Sequence, residues 1–180
     1  MRERLLAVGV IVALSGCGQG STAPVASGQF RDLPSDHVMI DVRHYLTDDG
    51  IRRGVMNADT AYVFIDSAKV NLRKVHLLLY GATGTEVANL VSRTGELNQR
   101  NNVMVARGNV VLVAREGARR IETEELHYDP NMHRIWSTVT TTMQQNGTRI
   151  TGDGFTADDQ MQNIQVTRPH GKVSGMKVTF

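Results

Sequence analysis

Residues 103–166 are a succession of short runs rich in Val, Ile and Thr, each closed by Gly, Asn, Asp or Pro. That spacing leaves room for little except antiparallel strands. The first run, 103–113, is broken only by Gly108. The second, 121–128, stops at the turn Asp129-Pro130-Asn131. A Thr/Val segment over 135–143 reads as one strand ending at Asn146-Gly147, and runs over 150–157 and 164–166 complete the series. No 3.6-residue apolar period survives across them, so helices are not expected.

Some of these segments recur. Leu126-His127-Tyr128-Asp129 with Met132 and Ile135 lines up with Phe155-Thr156-Ala157-Asp158 with Met161 and Ile164, a spacing of 29 residues. Leu97-Asn98-Gln99-Arg100 with Val103 stands one period earlier. Two strands per period suggest a stacked or rolled β-structure in which each unit buries its apolar face on the next. An ordinary antiparallel meander accounts for the same pattern.

Upstream, residues 37–46 alternate Val38, Ile40, Val42, His44 and Leu46 against Asp41 and Arg43, which favours a strand, although Val38, Val42 and Tyr45 would also suit one helix face. Asp48-Asp49-Gly50 is a turn signal. Residues 51–65 and 69–80 form a hairpin around Asp66-Ser67, residues 81–84 a further turn, and 86–97 another strand in which Gly95 permits a bend. About ten strands and no helix result, which means a rolled sheet, a jelly roll or a sandwich.

The chemistry that such a chain can carry is narrow. A formal net charge of +2 with scattered Lys and Arg, and 5% aromatic residues, give neither a basic stripe nor stacking platforms, so a nucleic-acid partner is not expected. The six histidines follow no metal-ligand spacing, and His37, His44, His127 and His133 read as solvated surface residues. Glu122, Glu124 and Glu125 follow Arg119 and Arg120. Glu122 and Glu124 point the same way on a strand, as paired catalytic carboxylates would, but cross-strand ion pairs explain the cluster more simply. Gly152-Asp153-Gly154 lacks the following helix that a phosphate cradle needs. Asn146-Gly147-Thr148 matches a glycosylation sequon and reads better as a type I′ hairpin turn. No enzyme, cofactor or metal is expected.

The single cysteine, Cys17, excludes a disulfide framework. It follows a basic start (Arg2, Arg4) and an apolar stretch over 5–14, too short to span a bilayer and of signal-peptide length. Leu14-Ser15-Gly16-Cys17 resembles the lipobox of bacterial lipoproteins, which implies that Cys17 becomes a lipidated N-terminus. Residues 1–16 are then the signal peptide, 17–36 the lipidated, Gly/Ser/Ala/Pro-rich tether, and 37–180 the β-domain.

Three stretches, 106–113 (Ala-Arg-Gly-Asn-Val-Val-Leu-Val), 121–129 and 152–158, resemble the LptC/LptA/OstA family of periplasmic lipopolysaccharide-transport proteins. The Asp49-Gly50 turn and residues 58–62 resemble the start of LptC proteins, and one tethered domain favours LptC over LptA. The resemblance implies a single open twisted β-roll or jelly roll of antiparallel strands whose two layers diverge to hold acyl chains of lipid A. It implies, as partners, lipopolysaccharide, an inner-membrane lipopolysaccharide ABC transporter, and an LptA-like periplasmic protein joined by edge-strand pairing. The location implied is the periplasm, anchored by lipid to a membrane, the inner one for an LptC-like protein. One departure stands out: the best-known LptC proteins carry a transmembrane helix where this chain has a lipobox, and Gly18 is not the Asp that often signals inner-membrane retention. Alternation then assigns the groove lining to Met104, Ala106, Val110, Leu112, Leu126, Tyr128, Ile135, Phe155, Ile164 and Val166. The same residues could fill a closed core, in which case the domain would scaffold envelope proteins without binding lipid.

Overall fold

The computed structural model describes residues 35–48, 50–114 and 118–174. The leader, Cys17 and nearly all of the tether lie outside them. The described residues form twelve strands: β1 (His37–Asp48), β2 (Ile51–Phe64), β3 (Lys69–Tyr80), β4 (Glu86–Asn98), β5 (Met104–Ala114), β6 (Arg119–Asp129), β7 (Arg134–Ser137), β8 (Thr141–Gln145), β9 (Thr148–Gly152), β10 (Gly154–Asp158), β11 (Ile164–Thr167) and β12 (His170–Ser174). Every pairing is antiparallel. The first six strands are a plain meander, so the 29-residue recurrence is a repeat of hairpins within one sheet. Leu97, Leu126 and Phe155 are the equivalent buried residue of each unit.

A crease crosses the meander. Asp41, Asp59, Lys74, Arg93, Gly108 with Asn109, and Glu124 fall side by side on β1 to β6, and each is missing from the ladder of paired residues. On alternate strands the backbone there turns left-handed: φ is 51° at Asp41, 50° at Lys74, 78° at Gly108 and 49° at Asn109. The inward face changes parity at the same line. In β3 the buried positions are 70 and 72 before Lys74, then 75, 77 and 79 after it. β2 changes from 54, 56 and 58 to 61 and 63, and β6 from 121 and 123 to 126 and 128. Such a slip normally turns apolar side chains to water. Here the sheet bends at that point, so both halves of each strand face one interior.

The sheet also divides. The end of β6 pairs with β7, which leads to β10 and β11, while its start pairs with β8, which leads to β9 and β12. Residues 135–143, read above as one strand, are therefore two, and the chain crosses between layers from Ser137 to Thr141. The reason is a buried hydroxyl cluster invisible in the pattern. Thr123 Oγ1 lies 3.1 Å from Ser137 Oγ and donates to the Thr140 carbonyl at 3.1 Å, and Thr141 Oγ1 donates to the Val139 carbonyl. These hydroxyls satisfy backbone carbonyls that leave the ladder. The chain crosses back at Gly152-Asp153-Gly154. A Cβ on Gly154 would stand 2.3 Å from the Ser137 carbonyl oxygen, and one on Gly152 2.5 Å from that of Thr167. The two glycines thus permit close backbone approach where the layers separate.

The turns follow the sequence signals. Asn146 and Gly147 both have positive φ, as a type I′ hairpin between β8 and β9 requires. Ile40, placed on the apolar face by simple alternation, is 72% exposed on β1, next to the left-handed Asp41.

Candidate functional site

The bend and the fork together produce a two-layered roll with a single apolar interior. All ten residues expected to line a groove are on the inside. Met104, Ala106, Val110, Leu112, Leu126, Tyr128, Ile135 and Phe155 are buried, while Ile164 and Val166 are half-buried and pack against the same cluster. Leu72, Leu77, Leu79, Leu90 and Met143 from the other strands, Ile121 from the start of β6 and Met161 from the β10–β11 turn join them. Alternation along single strands does not bring this second group together, because most of it reaches the interior only once the sheet bends. Side chains fill the space between the layers: Leu112, Phe155 and Ile135 are each 1% exposed. These apolar side chains leave water by packing on one another.

Opposite the crease the layers meet at a mouth made of turns. Arg119 donates to the Met161 carbonyl at 2.6 Å, tying the start of β6 to the β10–β11 turn. Gly81, after β3, lies close enough to Gln160 that an added Cβ would be 2.9 Å from its Oε1. At the end nearest β1 the mouth holds a cleft of about 160 Å³ between His44, Tyr45, Leu46, Thr47 and Arg53 on one side and Asn102, Tyr128, Pro130 and Asn131 on the other. The other clefts described lie on the convex crease or at the β8–β9 hairpin.

The outer surface is polar and paired. Lys74 bonds Asp59 at 2.6 Å on the crease, and this bond, with one from Thr60, holds the Asp59 carboxyl below its ordinary range. The Glu122–Glu125 cluster is held in ion pairs: Arg107 with Glu125 at 2.7 Å, Arg120 and Arg149 with Glu122, and Arg93 with Glu124 at 4.0 Å. Arg107, then His127, lower the Glu125 carboxyl. Each carboxylate has a cation instead of the second acid that a catalytic pair needs. His133 pairs with Asp159 and His170 with Asp153 at the surface. His127 departs from the solvated reading: it is half-buried, stacked on Trp136 with centroids 5.0 Å apart and bonded to Glu125 at 2.8 Å. Among the described residues no cluster suited to a metal ion occurs, and no helix is long and apolar enough to cross a membrane.

The profile described as "Lipopolysaccharide-assembly, LptC-related" matches residues 19–174. Comparison with curated proteins gives no match. Among solved structures, the chain is similar to LptH from Pseudomonas aeruginosa, described as the LptA-homologous periplasmic component of the conserved lipopolysaccharide transport device. The TM-score is 0.51 at 18% identity, covering 71% of this chain and 87% of that one. That likeness establishes the fold as the LptA-like β-jelly roll.

Proposed function

Because the chain belongs to the LptC-related lipopolysaccharide-assembly family, we propose that it is a periplasmic component of lipopolysaccharide transport that takes the acyl chains of lipid A between its two layers. The observation that carries this reading is the continuous apolar interior, reaching from Leu46 on β1 to Val166 on β11 and bounded on one side by a bend. Acyl chains enter when the layers part at the mouth and pivot on the crease. Apolar contacts then replace apolar contacts, and each CH₂ taken from water contributes about 0.8 kcal/mol.

The sheet ends support a bridging role. β1 and, at the far end, β11 and β12 are edge strands. On β1, Met39 and Ile40 are 44% and 72% exposed. Exposed edges accept strands from another chain, so we assign β1 and the far edge to docking, one toward the inner-membrane ABC transporter and one toward an LptA-like protein. Cys17 supplies the membrane anchor in place of a transmembrane helix.

A second reading has an observation of its own. Side chains fill the interior, as they would in a scaffold that binds proteins at its edges and never admits lipid. Photo-crosslinking in cells separates the two. A photoreactive residue at Phe155 or Leu112 captures lipopolysaccharide if the interior carries lipid, while one at Arg120 on the outer face does not. Capture of protein alone, from Met39 or Ile40, with no lipid at Phe155 or Leu112, is the scaffold result.

A further inference from the structure

One turn at the mouth does more than join two strands. Residues 159–163 link β10 to β11 on one lip and reach across to the other. Met161 sends its side chain into the interior, where it is 0% exposed, although the next residues, Gln162 and Asn163, lie exposed at the surface. Its carbonyl accepts the bond from Arg119, at the start of β6, at 2.6 Å. Gln160, one residue earlier, stands so close to Gly81, after β3, that a Cβ there would meet its Oε1 at 2.9 Å. Two successive residues of the turn therefore carry contacts across the mouth.

The rest of the turn braces these two. Asp158 accepts bonds from the Gln162 and Asn163 amides and from the Asn163 side chain, which fixes the path of the loop. Asp159 pairs with His133 at 2.7 Å, and its amide donates to the His133 carbonyl at 3.1 Å, so the turn is tied to the β6–β7 turn on its own lip. Between these ties and the opposite lip, Met161 has left-handed backbone with a φ of 53°. Methionine has no polar atom that favours this conformation locally. The fit of its side chain in the core and the Arg119 bond at its carbonyl hold it there. A flexible, unbranched thioether also suits a plug that comes and goes, because it fills irregular space and repacks readily.

Resting on the carrier reading, we infer that the β10–β11 turn is a latch that keeps the empty interior shut, with Met161 as its plug and Arg119 as its catch. Met161 takes up apolar space just inside the mouth, and both residues must give way before acyl chains pass. Latch and cargo thus compete for one place, and the lipid-free protein is held in a closed state that does not receive lipid. Loosening the latch raises the fraction of protein able to receive lipid, and uptake rises with it.

The test follows the full-length chain in detergent by two readouts: oxidation of each methionine by dilute peroxide without lipid, and the rate of uptake of fluorescent lipid A. In wild type the exposed Met39 and Met132 should oxidise, while Met161 and Met56, 0% and 1% exposed, stay intact. Arg119→Ala should speed oxidation of Met161 about tenfold, the worth of one charged hydrogen bond, with Met56 as protected as before. It should speed lipid uptake by a similar factor. Met161→Ala should speed uptake as well, whereas Met161→Leu, which keeps the volume of the plug, should not. Arg107→Ala, which breaks an ion pair of 2.7 Å on the outer face, should change neither readout and so controls for general loosening. The latch is overturned if Arg119→Ala exposes Met161 without speeding uptake, if it changes neither readout, or if Arg107→Ala matches it. In each of these cases lipid still binds and the carrier reading stands. If wild type and variants alike take up no lipid, even where Met161 oxidises, the carrier reading fails and the latch fails with it, having nothing to admit.

Discussion

At the scale of single residues the informative groups are those that stop strands. Asp158 closes the end of β10: its carboxylate accepts bonds from the Gln162 and Asn163 amides and the Asn163 side chain at 2.7–3.0 Å. Burial pushes its pKa up, but these donors win and hold it below the ordinary value. A carboxyl depressed in the folded state contributes stability above its unfolded pKa and loses that contribution as pH falls through the folded one. Asp158→Ala should therefore cost about 1–2 kcal/mol at neutral pH, and the difference from wild type should vanish in strong acid. Urea melts at both pH values check this; a gap of the same size at both would contradict it. Cys17 is the other residue on which a single change is decisive. Cys17→Ala should move the protein from the membrane fraction to the soluble periplasmic fraction, and unchanged fractionation would remove the anchor.

At the scale of elements, the crossings between layers control the architecture. A methyl group on Gly154 would meet the Ser137 carbonyl oxygen, a backbone atom held in the β7–β10 ladder, at 2.3 Å. Gly154→Ala should destabilise by about 2 kcal/mol, seen as a lower melting temperature, whereas an unchanged melt would show that β7 and β10 can separate freely. Much at this scale was legible in the chain. Asn146-Gly147, Asp66-Ser67 and Gly81 to Gly84 lie at the turns their chemistry predicts, and Gly108 marks a true bend. What the chain concealed has a physical reason. Lys74 adopts left-handed backbone that its residue type rarely chooses, and a lone Asp41 inside an alternating strand gives no turn signal, so outside Gly108-Asn109 on β5 nothing in the pattern announces the crease. Without it, alternation puts Ile40 inside and runs 135–143 as one strand. The fork at β6 depends on Thr123, Ser137 and Thr141 meeting, residues that look like ordinary solvent-facing hydroxyls until the sheet folds. The mouth cleft was equally hidden, because its lining comes from separate segments that only the roll brings together.

At the largest scale, the described residues form a sheet folded once along a polar crease, with apolar side chains between its halves and exposed edges at its ends. The proposed carrier role requires that these halves part, and the mouth offers a direct way to forbid it. Gly81→Cys/Gln160→Cys places two thiols across the mouth, away from the cleft nearest β1, in a chain whose other cysteine is Cys17. With a photoreactive residue at Phe155, capture of lipopolysaccharide is compared before and after a short reagent joins the pair, and again after a cleavable reagent is cut. The account predicts that joining the thiols abolishes capture and that cleavage restores it. Capture undiminished by the bridge would contradict the opening of the layers on which the transport reading depends.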